Sequence, residues 1–141
     1  MKNDWDYILP HLVRLETTQA GDLTVNHYFI RDFARLINQH YANPELTLES
    51  ISDALGISTR SVQRKLIQHL DMSFRQYINE VRFFHARDLL AQGYGIGYTA
   101  TAVGFNSASY FSASFKRRHQ QTPKQWQCVA QSKAQVLTTR H

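Results

Sequence analysis

The segment GISTRSVQRKL, residues 56–66, decides how this chain folds. It contains a glycine that can end one helix, a serine that can cap the next, and the amphipathic start of that next helix. Val62 and Leu66 fall on one helical face and suit a core. A second face is polar and carries Arg60, Gln63 and Arg64. Helix, short turn and helix form the plan of a helix-turn-helix, in which such a polar face is presented to a partner.

The residues before this segment are also helical in pattern. Thr47 is placed to cap a short helix over LESISDAL, residues 48–55. An earlier helix over HYFIRDFARLINQHY, residues 27–41, has its apolar side chains at helical spacing and ends before Asn43-Pro44. No stretch alternates as a series of strands would. The sequence therefore predicts an all-α protein.

A longer helix follows the segment, and the two-helix pattern then recurs. Ser73 caps a helix over residues 74–92, which Gly93 ends. A shift of 48 residues superposes Leu48, Ala54, Leu55, Gly56 and Ile57 on Ile96, Ala102, Val103, Gly104 and Phe105. The repeat predicts two helix-turn-helix units, at about residues 47–70 and 96–119, with Ser107 as the second cap. A last short helix is expected to begin at Thr122-Pro123.

Charge divides unevenly along the chain. Residues 1–58 carry four Lys and Arg against eight Asp and Glu, whereas residues 59–141 carry twelve against three, so the net charges are −4 and +9. A concentrated positive excess indicates a polyanionic partner, with solubility as the other explanation. No run approaches the roughly 18 apolar residues of a membrane span, and the N-terminus is too acidic for a secretory signal. We expect a cytoplasmic protein that does not bind a membrane.

Residues that could carry catalysis or bind a metal are not clustered. The seven histidines show no ligand spacing, and Cys128 is the single cysteine. The sequence therefore predicts neither an enzyme nor a metal site or cofactor. Phe111 and Phe115 could stack on single-stranded nucleic acid, but their spacing is typical of a core stripe. Tyr110 is left open between stacking, contact with a thymine methyl and simple packing.

Three segments together resemble the C-terminal DNA-binding domain of the AraC/XylS family of bacterial transcription regulators. They are LTLESISDALGISTRSVQRKL, MSFRQYINEVRFFHARDLL and AVGFNSASYFSASFKRRHQQTPKQW. The resemblance covers about residues 26–127, between an N-terminal segment or linker at 1–25 and a flexible tail at 128–141. Larger members carry an effector-binding or dimerisation domain before this one. The sequence leaves open whether the chain is a short stand-alone member or the C-terminal part of a longer regulator.

The resemblance implies about seven helices, with the two helix-turn-helix subdomains joined by the long helix and placed in successive major grooves of double-stranded DNA. At about 1.5 Å per residue that helix spans roughly 28 Å, nearly one turn of B-DNA. The base-reading positions of the first unit are then Arg60, Gln63 and Arg64, and those of the second are Ser109, Tyr110 and Ala113. Arginine can bond guanine, and glutamine adenine, in a two-pronged fashion. The expected phosphate contacts are Ser58, Thr59, Arg75, Lys116 and Arg117.

The second unit departs from the family pattern. Ala113 stands where the family often has arginine, and Thr99 where it prefers a large aliphatic residue. Gln120 replaces a glycine, and Trp126-Gln127 replaces an aromatic-arginine pair. We therefore expect the first unit to supply most of the base discrimination and the second to add phosphate affinity and to be locally less stable.

The function expected on these grounds is sequence-specific regulation of transcription, as an activator that also contacts RNA polymerase. The alternative is a basic helical adaptor that contacts polymerase or another regulator and binds DNA weakly. Since one domain holds two reading helices, the chain could bind DNA as a monomer or a dimer.

Overall fold

The computed structural model describes residues 25–139, which form seven α-helices. The helices are α1 Val25–His40, α2 Leu48–Leu55, α3 Thr59–Leu70, α4 Phe74–Ala91, α5 Ile96–Ala102, α6 Ala108–His119 and α7 Pro123–Thr139. No strand occurs in this range, so the predicted all-α fold with two helix-turn-helix pairs is confirmed. None of these helices is both long and apolar enough to cross a membrane. The predicted N-terminal segment lies, apart from Val25, outside the described residues.

Side-chain caps fix the bounds of α2 and α3. The Thr47 hydroxyl accepts a hydrogen bond from the Ser50 amide at 3.1 Å, and the Ser50 hydroxyl returns one to the Thr47 carbonyl at 2.8 Å. Gly56 ends α2 in the left-handed conformation, with φ of 73°. Ser58 then has extended backbone, and its hydroxyl accepts from the Ser61 amide at 3.1 Å. The predicted turn is therefore built from local hydrogen bonds.

The first of two compact units contains α1, α2, α3 and the beginning of α4, as far as Val81. Phe33 lies at its centre, with its ring centroid 5.0 Å from that of Tyr77 and 6.0 Å from that of Phe29. The Lys65 ammonium lies 5.6 Å from the Phe29 ring centroid, which ties α3 to α1. The remaining large buried side chains are Ile30, Ile37, Ile51, Val62, Leu66, Leu70, Ile78 and Val81.

The second unit contains the rest of α4, from Arg82, together with α5, α6 and α7. Phe83 of α4 packs against Phe105, Phe111 and Phe115 at centroid distances of 5.7, 6.3 and 5.7 Å. Phe111 and Phe115 have no exposed surface. They are therefore core residues, as their spacing predicted, and cannot serve as stacking platforms for nucleic acid.

The last helix is longer than the sequence predicted. A short helix and a flexible tail from residue 128 were expected, but α7 continues for 17 residues to Thr139. The prediction that the last helix is short is therefore wrong, whereas the flexibility of residues 128–141 stays a prediction. The start of α7 is capped by two reciprocal hydrogen bonds. The Thr122 hydroxyl accepts one from the Gln125 backbone amide at 3.1 Å, and the Gln125 side-chain oxygen accepts one from the Thr122 backbone amide at 2.9 Å. After Pro123 the chain has no glycine or proline and is rich in alanine, glutamine and lysine, which favour a helix.

Candidate nucleic-acid interface

The polar face of α3 is exposed because its opposite face is held in the core. Val62, Leu66 and Leu70 are buried and fix the rotation of the helix. The three predicted base-reading side chains, Arg60, Gln63 and Arg64, are all exposed. Within residues 25–139 none of the three makes a hydrogen bond, an ion pair or a ring contact. Their polar ends are therefore available to an external partner rather than used in folding.

The predicted phosphate contacts of the first unit lie around the start of α3 and α4. Ser58 caps α3, and its hydroxyl also donates to the Ser61 hydroxyl at 3.0 Å, so it has a structural role besides any contact with DNA. Thr59 is half-buried at the first position of α3. Arg75 is exposed in the first turn of α4. The free amide groups at the start of a helix attract anions, which suits a phosphate at the start of α3.

The second unit presents a face of smaller side chains on α6. Ser109 and Ala113 are exposed and short. Tyr110 is 41% exposed, and its ring centroid lies 5.8 Å from that of Phe105. Tyr110 therefore packs partly on the core and leaves its outer part accessible. This face offers fewer hydrogen-bond donors to base edges than the corresponding face of α3.

The end of α6 carries a dense positive charge. Lys116, Arg117 and Arg118 lie in its last turn and are exposed. Cations at this end of a helix also interact favourably with the helix dipole. A run of exposed cations can neutralise phosphates without reading bases. The predicted phosphate role of Lys116 and Arg117 is compatible with this placement.

His119, in the same turn, has a structural role that sequence reasoning missed. Its Nδ1 lies 3.0 Å from the Phe115 carbonyl oxygen, and its Nε2 lies 2.8 Å from Nη1 of Arg87. A carbonyl can only accept and a guanidinium can only donate, so this arrangement requires a neutral imidazole with the proton on Nδ1. The ring stacks on Phe115 with centroids 3.9 Å apart. His119 therefore holds the basic end of α6 against α4.

Two further buried polar residues form hydrogen bonds within the second unit, to which residues 42–44 also belong. Gln127 is 5% exposed, and its side-chain amide donates to the carbonyl oxygens of Leu90 at 3.0 Å and Tyr94 at 2.7 Å. The Arg82 guanidinium donates to the Asn43 carbonyl oxygen at 3.0 Å and lies 5.6 Å from the Phe105 ring centroid. The burial of Arg82 could have been predicted from the sequence, because Arg82 lies four residues after the buried Ile78 and therefore on the same face of α4.

In the described part of the chain, no three His, Cys, Asp or Glu side chains are grouped as metal ligands would be. The exposed groups at the interface are instead cations, amides and hydroxyls. Such groups bind phosphate oxygens and base edges by hydrogen bonds and charge, without chemistry on the ligand.

Comparison with known proteins agrees with this geometry. The sequence pattern of a helix-turn-helix domain family matches residues 51–128, more than half of the chain. The chain is 28% identical over 114 residues to the transcriptional activator RhaS of Salmonella schwarzengrund, covering 80% of this chain and 40% of RhaS. It is 32% identical over 87 residues to RhaS of Pectobacterium carotovorum, covering 61% of this chain and 31% of that protein.

Solved structures of other proteins have a similar fold. The C-terminal domain of AraT, a response regulator of Geobacillus stearothermophilus, matches with a TM-score of 0.70 and 28% identity, over 77% of this chain and 88% of that one. A DNA-binding transcriptional dual regulator of Escherichia coli K-12 matches with a TM-score of 0.65 and 26% identity, over 80% and 97% of the two chains. The chain belongs to the AraC/XylS family.

Membership in the AraC/XylS family fixes the class of function. The matched region is the DNA-binding domain of transcription regulators, and the family is not one of enzymes. Double-stranded DNA is therefore the partner of this domain. The chain spans about 40% of the length of the RhaS proteins of Salmonella schwarzengrund and Escherichia fergusonii.

Proposed function

We propose that this chain is a transcription activator in which α3 reads base sequence and α6 mainly holds the DNA backbone. The observation that carries the proposal is the exposed face of Arg60, Gln63 and Arg64, whose polar ends have no partner within residues 25–139. An unpaired guanidinium or amide on a rigid helix can make a two-pronged hydrogen bond to a base edge. The face of α6 with Ser109 and Ala113 offers less direct readout.

The activator role is supported by the RhaS proteins, which are named as transcriptional activators. We infer that the protein acts in the bacterial cytoplasm, where its DNA lies, and that it contacts RNA polymerase. Because one chain contains two helix-turn-helix units, a single copy can present two reading helices, and we propose monomeric binding. Sedimentation of the complex with a selected site would measure the number of copies bound, and a value of two would contradict monomeric binding.

The test is selection of preferred sites from randomised duplex DNA at near-physiological salt. We expect a motif with two elements about one helical turn apart. Arg64→Ala should change one element and weaken binding to the preferred site by about 1–3 kcal/mol. The matched control is Arg35→Ala, which removes an exposed arginine of α1 in the same unit and should leave the motif unchanged.

Equal losses on selected and random DNA for Arg64→Ala would contradict base reading by α3. Such a result, together with polymerase binding that survives loss of Arg60 and Arg64, would favour the adaptor function. The small side chains on the reading face of α6 are the observation that keeps this second candidate open.

A further inference from the structure

The polar face of α3 contains one apolar side chain that the core does not use. Ile67 is 54% exposed, whereas Val62, Leu66 and Leu70 on the buried side have at most 7% of their surface exposed. Single exposed apolar residues are common, so exposure alone explains nothing. The inference depends instead on the position of Ile67 on the helix.

Ile67 completes a regular set of positions with the three polar side chains. Counted from Arg60, the residues Gln63, Arg64 and Ile67 lie at offsets of three, four and seven. A helix brings these offsets onto one narrow face. A homeodomain reads the major groove with four side chains of one helix at the same offsets. A helix lying along the groove can therefore bring the fourth position, as well as the first three, to the bases.

The chemistry of the major groove offers one partner that suits an isoleucine. Guanine, cytosine and adenine present hydrogen-bonding atoms there, whereas thymine adds a C5 methyl group. The arginine and glutamine side chains of this face bind by hydrogen bonds and cannot detect that methyl group. An exposed branched aliphatic side chain detects it by removing both apolar surfaces from water.

The second unit supplies an internal comparison. A shift of 49 residues, which places Val62 on Phe111 and Leu66 on Phe115, places Ile67 on Lys116. Lys116 is exposed at the basic end of α6 and is one of the expected phosphate contacts. The same helical position thus carries a cation in one unit and an apolar group in the other. Unlike a lysine, an isoleucine at this position does not attract phosphate, but it can contact a base and so help to distinguish bases.

We propose that Ile67 is a specificity-determining residue of α3 that contacts the C5 methyl group of a thymine next to the bases read by Arg60, Gln63 and Arg64. The proposal rests on the proposed function, because it requires α3 to lie in the major groove. It adds a preference for an A·T pair in a defined orientation at a neighbouring position that the arginine and glutamine side chains do not read.

The experiment uses the full chain and the selected duplex, in which each thymine is replaced in turn by deoxyuridine. This replacement removes only the methyl group. For the unaltered chain we expect one replacement to weaken binding by about three- to fivefold, the effect of exposing one buried carbon group. Ile67→Ala should bind the thymine site about as weakly as this and should be insensitive to the same replacement, because the two changes remove one contact.

Ile67→Lys is the matched second variant, since it installs the residue of the equivalent position in α6. It should strengthen binding to all sequences, steepen the salt dependence by about one unit and abolish the response to deoxyuridine. Thermal unfolding of both variants should match the unaltered chain, because the side chain is outside the core.

The outcomes separate this inference from the proposed function. If a motif is recovered and changes with Arg64→Ala, but no thymine methyl depends on Ile67, α3 reads DNA and the role of Ile67 is wrong. If no motif is recovered at all, base reading by α3 fails and the inference fails with it. Loss of polymerase binding in Ile67→Ala, with DNA binding unchanged, would also overturn the inference and make Ile67 a protein contact.

Discussion

Gln127 is a single side chain on which the end of α4 depends. Its amide is buried and donates to the carbonyl oxygens of Leu90 and Tyr94. Gln127→Ala leaves both carbonyls without this donor, and we expect it to lower the free energy of unfolding by about 1–3 kcal/mol. Urea unfolding measures the change. Gln131→Ala, which truncates an exposed glutamine of the same helix, is the control and should change stability by less than about 0.5 kcal/mol. Equal effects would show that the buried bonds contribute nothing.

His85 gives the second unit a predictable response to pH. Burial lowers the pKa of its imidazole below the ordinary value of 6.5, and the Asp88 carboxylate partly opposes this shift. As pH falls below 6.5 the unfolded chain takes up a proton that the folded chain does not, so stability decreases until the folded imidazole also titrates. The loss cannot exceed about 1.4 kcal/mol per pH unit. In the unaltered chain, the free energy of unfolding should therefore decrease from pH 7 to pH 5.

His85→Gln should flatten that slope, whereas His40→Gln, at an exposed site on α1, should preserve it. An unchanged slope in His85→Gln would assign the pH dependence to another group.

At the scale of one helix, a pair of glycine substitutions can test how local backbone preferences affect stability. Gly97 lies inside α5, and an added Cβ would meet no atom within 4 Å. Gly97→Ala should stabilise the protein by about 0.5–1 kcal/mol, because alanine has the higher helix propensity. Gly56 has equally open space but a φ of 73°, so Gly56→Ala should destabilise by about 1 kcal/mol. Opposite shifts in melting temperature are expected, and shifts of the same sign would contradict this account.

The elements that could be predicted from sequence are those that local patterns determine. Thr47, Ser58 and Ser107 cap helices as expected, since each bonds an amide only three residues away. The exposure of the polar face of α3 followed from its buried stripe of Val62, Leu66 and Leu70. The contacts of Gln127 and His119 could not be predicted, because their partners lie 37 and 32 residues away along the chain. No periodicity specifies such pairs.

Thr99 of α5 stands where the AraC/XylS family prefers a large aliphatic residue. The structure buries it completely, and its hydroxyl has no hydrogen-bond partner within residues 25–139. A buried hydroxyl without a partner costs stability. Ser52 and Tyr77 of the first unit also bury hydroxyls that have no partner among these residues, so the lower stability of the second unit stays a prediction.

For the molecule as a whole, the proposed division of tasks between the two units can be tested through the distribution of charge. The exposed cations at the basic end of α6 can neutralise phosphates, and each such contact releases counterions. Arg117→Ala should therefore weaken binding to selected and scrambled DNA alike and reduce the slope of log affinity against log salt by about one. Titrations at several salt concentrations measure this slope, and Arg35→Ala should leave it unchanged. A loss at Arg117 confined to the selected site would reverse the assignment, making α6 a base reader and leaving the backbone contacts to the first unit.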